Sequence, residues 1–368
     1  MAYSPIEPRR FAERLGSWLQ NAGPEPDVVV SCRVRLARNI EGYPFVTRLD
    51  DDKARELSGR LKDILLSHRL DGGTIWVGME DAPAIVRLLL RERHLVSRDL
   101  APTDQRQAQR PGRAVAFGEN ETVSVMVNEE DHLRLQSLSG GYSLREAWQR
   151  ACDLDQALEK DVAFAHSAQL GYLTGCPTNV GTGLRASVMM HLPALGLVKS
   201  ELEKVFQAAQ RTGLAVRGMY GEGSRAAGDF YQISNQVTLG SSEEDLSADL
   251  EGLVPCIVDF ERKVRTVLMN QQAASLEDRV RRSYGMLRTA RSLPTEVALM
   301  HLSNVRLGVA LGILAGIALA DLNQIAIQIQ KGHVQLLAGE GPARLSEATE
   351  RDRLRAAFLR KRFAEFSS

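Results

Sequence analysis

The chain has 368 residues, 44% of them hydrophobic, and its 46 Lys and Arg balance 46 Asp and Glu. This length favours two domains, or one large domain with an appendage, and the apolar content excludes a disordered chain. A formal net charge of zero excludes bulk electrostatic attraction to nucleic acid or to a membrane, so any positive site must be local.

Cysteine usage and the longest apolar stretch narrow the class further. The four cysteines are widely separated and predict neither a disulfide framework nor a zinc site: Cys32, Cys152, Cys176 and Cys256. Residues 1–14 lack the apolar core of a secretory signal. Residues 307–320 are apolar but too few to span a bilayer, and they predict a buried helix. We therefore expect a soluble, cytoplasmic protein.

The first half of the chain predicts alternating helices and strands. Helical patterning covers residues 9–21, 50–68 and 83–93, and strand patterning covers 27–35 and 73–77. Polar residues with two prolines predict a loop over 98–113. Short strands at 115–117 and 123–128 predict a hairpin.

The second half changes character after Glu243. Before it, the patterns predict a helix over 144–160, a strand from Phe164, a helix opening over 183–191, a helix over 201–212, and strands over 214–219 and 230–238. Beyond it, helical patterning dominates. The sequence thus predicts an α+β fold with a mostly antiparallel sheet flanked by helices, then an all-helical domain. The predicted boundaries are an N-terminal arm over 1–26, an α+β domain over 27–256 and a helical domain over 257–368.

Four segments combine arginines with carboxylates and a cysteine: residues 31–38, 127–134, 176–185 and 217–222. Arginine guanidinium groups match phosphate oxygens bidentately, and Arg33 and Arg35 share one face of a strand. No P-loop or protein-kinase motif occurs, so arginines would have to hold the phosphates if the protein uses ATP. Mg²⁺ would then be held mainly by the nucleotide.

Two glutamates and one cysteine suit a guanidinium acceptor. Glu130 and Glu222 could orient the planar cation and take its proton as a nitrogen–phosphorus bond forms. Cys176 lies near the predicted helix start at 183, where backbone N–H groups would favour a negatively charged sulfur. The simpler alternatives are a polar turn around Glu130, surface ion pairs for the arginines and a buried small side chain for Cys176. Spacing alone does not show that the segments converge.

Motif order adds a resemblance. Residues 128–134, 176–185 and 217–235 resemble the catalytic domain of phosphagen (guanidino) kinases, and 31–38 is similar to that family's first nucleotide-binding strand. The closer resemblance is to bacterial protein-arginine kinases of the McsB type. The chain begins almost directly with the catalytic domain, and Tyr220 replaces an arginine usual in small-molecule kinases. Residues 351–356 are similar to the RDxxRA phosphoarginine-binding motif.

The resemblance implies three sets of site residues. It implies catalytic roles for Glu130, Glu222 and Cys176. It implies that ATP with Mg²⁺ binds Ser31, Cys32, Arg33, Val34, Arg35, His94, Arg134, Arg185, Ala186, Ser187, Val188, Met189, Arg217, Gly218, Met219, Tyr220, Gly221 and Glu222. It implies an allosteric phosphoarginine site at Arg351, Asp352, Arg355 and Ala356; the alternative there is a solvated basic helix.

The implied activity is that of an ATP-dependent protein-arginine kinase that marks proteins for Clp-type proteolysis and relieves heat-shock repression. The implied partners are a heat-shock repressor and unfolded proteins as substrates, a zinc-binding activator, a Clp-type unfoldase-protease and a second copy of the chain, without direct nucleic-acid or membrane binding. Two alternatives remain open. Turnover of free arginine would indicate a small-molecule guanidino kinase, and phosphoarginine binding without ATP turnover would indicate a catalytically degenerate adaptor.

Overall fold

The computed structural model describes residues 6–20, 23–102, 110–218, 227–339, 341 and 346–366. These residues form one large antiparallel sheet with helices on both faces, followed by a helical C-terminal region. This confirms the fold class predicted from the sequence. None of the helices described combines the length and the apolar character that crossing a bilayer requires.

The sheet has eight strands in the order β2-β3-β4-β5-β1-β8-β10-β9, and every neighbouring pair is antiparallel. Its strands are β1 (Val29–Arg38), β2 (Thr74–Gly78), β3 (Ala114–Gly118), β4 (Val123–Val127), β5 (Leu133–Gly140), β8 (Leu184–His191), β9 (Leu214–Gly218) and β10 (Phe230–Asn235). A separate two-stranded hairpin contains β6 (His166–Ser167) and β7 (Gly171–Tyr172). The long central strand β1 lies between β5 and β8.

One face of the sheet carries the main apolar core. Alternate residues of β1, including Cys32, Val34 and Leu36, are buried on this face, as period-two alternation requires. The helices that supply buried residues to this core are α3 (Asp51–Ser67), α5 (Leu144–Glu159), α6 (Pro193–Leu197), α7 (Lys199–Arg211) and α8 (Glu243–Thr289). The opposite face of the central strands is therefore left for polar side chains.

Short helices lie over the opposite face of the sheet. Helix α4 (Ala84–Glu92) packs there against β2, β3 and β4 through a second apolar cluster. A third small cluster joins helix α2 (Ser17–Gln20) to Leu138 of β5 and Ile327 of the C-terminal region. The first helix, α1 (Pro8–Glu13), contacts α4 and the C-terminal region. A cleft remains between these helices and the central strands.

The C-terminal region comprises α8 and four further helices: α9 (Thr295–Ala310), α10 (Leu319–Gln328), α11 (Lys331–Leu337) and α12 (Ala348–Glu365). Buried polar contacts join it to the sheet domain. Glu261 of α8 accepts hydrogen bonds from the backbone N–H groups of Ala194 and Leu195, both at 3.0 Å. Glu92 of α4 accepts from the first N–H groups of α11 in the same way. The domain boundary predicted at 256/257 falls inside α8 and stays a prediction.

Three local predictions were wrong. Residues 184–191 form strand β8 and not a helix: Leu184, Ala186, Val188 and Met190 alternate into the core, and pairing with β1 and β10 outweighs their helix propensity. The apolar stretch 307–320 is not one helix. Helix α9 ends at Ala310, and the positive φ of Gly312 and Gly316 turns the chain.

The third difference concerns the N-terminal arm. The helix predicted over residues 9–21 is two short helices, α1 and α2. Gly16 lies between them, where a Cβ would stand 2.7 Å from Glu121 Cβ, so the close approach to the sheet domain requires glycine. The break lets Trp18 and Leu19 turn inward and become buried.

Candidate active site

Strand register places the predicted arginines on one face of the sheet. In the pairing of β1 with β8, Arg35 lies opposite Arg185, and in the pairing of β1 with β5, Ala37 lies opposite Arg134. Directly paired residues project from the same face, and so do residues two apart on a strand. Arg33 therefore joins this group. These side chains occupy the cleft face, opposite the main apolar core.

The cluster brings several positive charges close together in a partly enclosed cleft. Burial, together with the charges of Arg134 and Arg185, lowers the pKa of Arg33 to about 10. Burial and the same neighbours hold the pKa of Arg35 well below its usual value. Among the described residues, none accepts a hydrogen bond from the buried Arg35 Nε. A bound polyanion would relieve this repulsion and supply the missing acceptor.

Glu129 is the main counter-charge of the cluster, and the sequence did not single it out. It receives Arg134 through both carboxylate oxygens, at 2.8 and 2.7 Å, and also accepts from the Ser97 hydroxyl and, at 3.2 Å, from the Glu130 N–H. Burial would raise the pKa of Glu129, but Arg134 and these donors outweigh burial and lower it. In the sequence, the only signal for Glu129 is its position directly before Glu130. Glu129 fixes Arg134 and the backbone of Glu130 together.

Arg217 extends the positive face toward the sheet edge. It lies opposite Gln232 in the pairing of β9 with β10, and Gln232 accepts a hydrogen bond of 3.2 Å from Arg33. Gly218 ends strand β9 immediately after it. The predicted site residues that follow lie outside the described residues: Met219, Tyr220, Gly221 and Glu222.

A pocket opens beside the arginine cluster, between the sheet and the short helices. It is lined by Trp18, Leu19, Val30, Ser31, Arg33, His94, Leu138, Ser187, Met189, Phe230, Gln232, Asn323, Ala326 and Ile327. Its wall thus combines the sheet face with residues from both ends of the chain. Among the predicted nucleotide residues, Ser31, Arg33, His94, Ser187 and Met189 line it. Four others, Cys32, Val34, Ala186 and Val188, point into the core and present only backbone.

His94 and Asn323 add polar groups to the pocket beside those of Ser31, Arg33, Ser187 and Gln232. Burial and the nearby charge of Arg33 lower the pKa of His94 to about 4, so its ring is neutral at physiological pH. The ring lies 6.1 Å from that of Trp18. The Asn323 amide oxygen accepts from buried Arg306 at 2.6 Å, and the amide nitrogen is the donor that Asn323 could offer to a ligand in the pocket. A flat, partly apolar ring with hydrogen-bonding edges fits this lining.

The acceptor candidates Glu130 and Cys176 lie together at the other end of the cluster. The pKa of Glu130 is raised, mainly by partial burial and also by the negative charges of Glu129 and Asp131. The charge of Arg134 and a hydrogen bond from the Cys176 thiol lower it, but they do not outweigh the rise. Contrary to the sequence prediction, Cys176 does not lie near a helix N-terminus; it precedes a single 3-10 turn, Pro177–Asn179. No helix begins after Cys176 because residues 184–191, where the helix was predicted, form strand β8.

Buried polar contacts hold the Cys176 segment against Glu130. Asp131 accepts from Asn39 Nδ2 at 2.6 Å and from the Gly175 N–H at 2.5 Å. His132 accepts from the Ile40 N–H at 2.9 Å through Nδ1. Asp131 and His132 thus make structural contacts here. The contacts of Asp131 thus position the Cys176 segment from the side of the sheet that carries Glu130.

Arg38 positions the same segment from the β1 side. Its guanidinium stacks 3.5 Å from the Tyr172 ring centroid and bonds to Asp155 at 2.7 Å. It also donates to the Thr182 carbonyl at 2.9 Å. This arginine, although part of the 31–38 motif, is buried in structural contacts and does not belong to the open cluster.

The second predicted site lies on α12. Arg355 is 1% exposed and donates to the carbonyls of Ile329 at 2.7 Å and Leu293 at 2.8 Å, and to Asp352 at 2.6 Å. It is therefore a buried link between α12 and the preceding helices, and a fully solvated basic helix is excluded. Arg351, half-buried, donates to the Ser346 carbonyl, and Ala356 is buried.

Family comparisons match both parts of the chain. Residues 68–264 match the model described as ATP:guanido phosphotransferase, C-terminal catalytic domain, and residues 273–368 match the protein-arginine kinase McsB C-terminal domain. The irregular residue Gln272, with φ −140°, lies between the two matches within α8. The first match covers the arginine cluster apart from Arg33 and Arg35, together with Glu130 and Cys176.

Curated relatives cover almost the entire chain. It is 42% identical to the protein-arginine kinase of Halothermothrix orenii, over 95% of this chain and 97% of that protein. The corresponding enzyme of Bacillus subtilis is also 42% identical, over 95% of this chain and 94% of its own length. The protein-arginine kinase of Symbiobacterium thermophilum is 43% identical over 94% and 96%.

Solved structures give the same fold. A lombricine kinase is similar with a TM-score of 0.57 and 26% identity, covering 69% of this chain and 71% of that one. The duplicated taurocyamine kinase from Schistosoma mansoni, with transition-state analogue components, is similar with a TM-score of 0.57 and 26% identity, covering 78% of this chain and 40% of that one. The enzyme class predicted from the sequence is confirmed, and with it the use of ATP. The chain belongs to the protein-arginine kinase family of ATP:guanido phosphotransferases.

Proposed function

We propose that this chain transfers the γ-phosphoryl group of ATP to the guanidinium group of arginine side chains in proteins. The observation that carries the proposal is the position of Glu129. It holds Arg134, a member of the arginine cluster, and its neighbour Glu130 meets Cys176. One rigid connection thus links a phosphate-binding surface to a guanidinium-binding pair, which is the arrangement that direct transfer requires.

ATP would lie with its base in the pocket beside His94 and its phosphates over the arginines. Ser31, Ser187 and Met189 would line the base and sugar side. Arg33, Arg35, Arg134, Arg185 and Arg217 would neutralise the triphosphate as charge moves in the transition state. Among the described residues no cluster of carboxylates, histidines and cysteines could hold a metal ion, so Mg²⁺ would arrive with the nucleotide.

The acceptor guanidinium would bind between carboxylates. Glu130, and Glu222 from the segment after Gly218, would each accept N–H bonds and align one nitrogen with the γ-phosphorus. As the nitrogen–phosphorus bond forms and the bond to the ADP oxygen breaks, a carboxylate takes the proton from that nitrogen. Its raised pKa makes Glu130 a stronger base than an ordinary glutamate. Cys176 would add a third contact to the cation.

We base the proposed protein substrates and partners on the resemblance to the family. We place the enzyme in the cytoplasm, where phosphorylated proteins would be delivered to a Clp-type unfoldase-protease and a heat-shock repressor would be inactivated. A zinc-binding adaptor would activate it, and the C-terminal helices would form a homodimer. Asp352 with Arg351 would bind phosphoarginine at the second site. Because Arg355 is committed to backbone carbonyls, its contribution there would be to hold Asp352.

A transfer assay tests the proposal directly. The purified chain is given ATP and Mg²⁺ with an arginine-rich unfolded protein and, in parallel, with free arginine, and nitrogen–phosphorus bonds are read by phosphorus NMR. We expect signal on the protein. The same protein with every arginine replaced by lysine is the matched control and should remain unlabelled.

Two other outcomes would contradict the proposal. Efficient labelling of free arginine with little on protein would indicate a small-molecule guanidino kinase. Phosphoarginine binding without any ATP turnover, with or without an added activator, would indicate a non-catalytic adaptor.

A further inference from the structure

Three exposed apolar side chains lie beside the acceptor end of the site. Leu170 is 46% exposed, Val237 is 60% exposed and Leu239 is 50% exposed. Leu170 precedes β7, and the other two follow β10. We refer to these three residues as the apolar rim. Single exposed apolar residues need no explanation, but a group of them near a site indicates an interaction surface.

Close backbone packing around Gly181 brings the rim together. The Tyr172 N–H donates to the Gly181 carbonyl at 2.8 Å, and a Cβ at Gly171 would lie 2.5 Å from that oxygen. On the other side, a Cβ at Gly181 would lie 2.9 Å from Leu239 Cα. Gly181, at φ +111°, is thus enclosed between the segment that follows Leu170 and the segment that contains Leu239.

Hydrogen bonds connect the rim to the acceptor position. Thr238, between the two rim residues after β10, donates to the Val180 carbonyl at 2.7 Å and to the Thr178 carbonyl at 3.2 Å. The Thr178 hydroxyl lies 3.1 Å from Cys176 Sγ, and Cys176 contacts Glu130. The rim therefore adjoins the place where the acceptor guanidinium would bind, through hydrogen bonds to the loop that carries Cys176.

We infer that the apolar rim binds the apolar side chains that flank the target arginine in an unfolded polypeptide. The inference rests on the proposed function and specifies which residues of the enzyme contact the substrate beside the target arginine. An arginine that reaches Glu130 as part of a protein carries its neighbouring residues with it, and they must lie just outside the acceptor position. Apolar neighbours are accessible mainly when the substrate is unfolded, and burying them on the rim releases water from both surfaces. The rim thus favours arginines that have apolar neighbours in the sequence.

Peptides that differ only beside the arginine test this inference. One carries leucine on each side of a single arginine and the other carries serine, in otherwise identical Gly/Ser sequences. The measured quantity is the ratio of kcat/KM for the leucine peptide to that for the serine peptide, with ATP and Mg²⁺. Partial burial of one or two leucines predicts a ratio of about tenfold. In Val237→Ser with Leu239→Ser the ratio should approach one.

Leu66→Ser is the matched control, because Leu66 is 40% exposed on α3, which packs at the other end of the sheet. Its ratio should equal that of the parent. A parent ratio near one, or an undiminished ratio in the rim variants, would overturn the inference while leaving the proposed function intact. A changed oligomeric state of the rim variants in sedimentation with an undiminished ratio would assign the rim to contacts between copies. Failure to phosphorylate either peptide, with or without an activator, would overturn both proposals.

Discussion

Replacing Glu129 by glutamine removes one negative charge from the centre of the arginine cluster while keeping the shape of the side chain. The amide retains one acceptor oxygen but presents an NH₂ group where Arg134 now meets the second carboxylate oxygen. Both partners are enclosed: the side chain of Glu129 is fully buried and that of Arg134 is 16% exposed. Leaving a buried charge without its partner costs about 3–5 kcal/mol, so we expect a loss of this size in the free energy of unfolding.

The assay is urea unfolding of the full chain without nucleotide, followed by tryptophan fluorescence and by circular dichroism. Glu146→Gln is the control, since Glu146 forms an i,i+4 pair with Arg150 but its side chain is 65% exposed. Pairs of that kind contribute about 0–1 kcal/mol. In the transfer assay, Glu129→Gln should also lower kcat by about tenfold or more, because Arg134 and Glu130 lose their common support.

The dependence on pH gives the sign of the effect independently. The pKa of Glu129 is lower in the folded protein than its usual value near 4.5, so its contribution is complete above that value and is lost as the pH falls through the folded-state pKa. The difference in stability between parent and Glu129→Gln should therefore shrink in acid. Equal urea midpoints for Glu129→Gln and Glu146→Gln at neutral pH would refute the reasoning and show that the arginine cluster tolerates the missing charge.

Three further predictions concern other parts of the site. Glu130→Gln should lower kcat by about 10²–10⁴-fold with near-normal ATP binding in calorimetry. In the parent, activity should fall as acid protonates Glu130, and because its pKa is raised this fall should lie above the ordinary glutamate value of 4.5; a fall at or below that value would contradict the role. Asn323→Leu should raise KM for ATP about fivefold with little change in kcat, since one hydrogen bond contributes about 1 kcal/mol; an unchanged KM would remove α10 from the nucleotide site. Arg355→Ala should lower the thermal midpoint of the C-terminal region, because the loss of this side chain leaves two buried carbonyls unpaired. Arg351→Ala should mainly weaken phosphoarginine binding. Equal thermal midpoints for the two variants would contradict the structural role of Arg355.

Local pattern was sufficient for much of the fold. The alternation over residues 27–35 predicts a strand and the helical periodicity over 50–68 predicts a helix, and the structure has β1 and α3 within three residues of the predicted ends. The pattern failed at β8, where leucine, arginine, alanine and methionine suit a helix. The two flanking strands impose an extended backbone there, and that information lies in paired residues 39 or more positions away.

The sequence by itself determined the chemical inventory of this protein: the arginines, Glu130, Cys176 and the order of their motifs, which suffice to indicate a guanidino kinase. The tertiary structure decided which of these residues act together. Register alone separates the open arginines Arg33 and Arg35 from the buried, structural Arg38 on the same strand. Folding also brought in Asn323, almost 300 residues from Arg33, as a wall of the same pocket. Side-chain type is local information, whereas burial, pairing and neighbouring charge arise only when distant segments pack, and these fix the chemical role of each group.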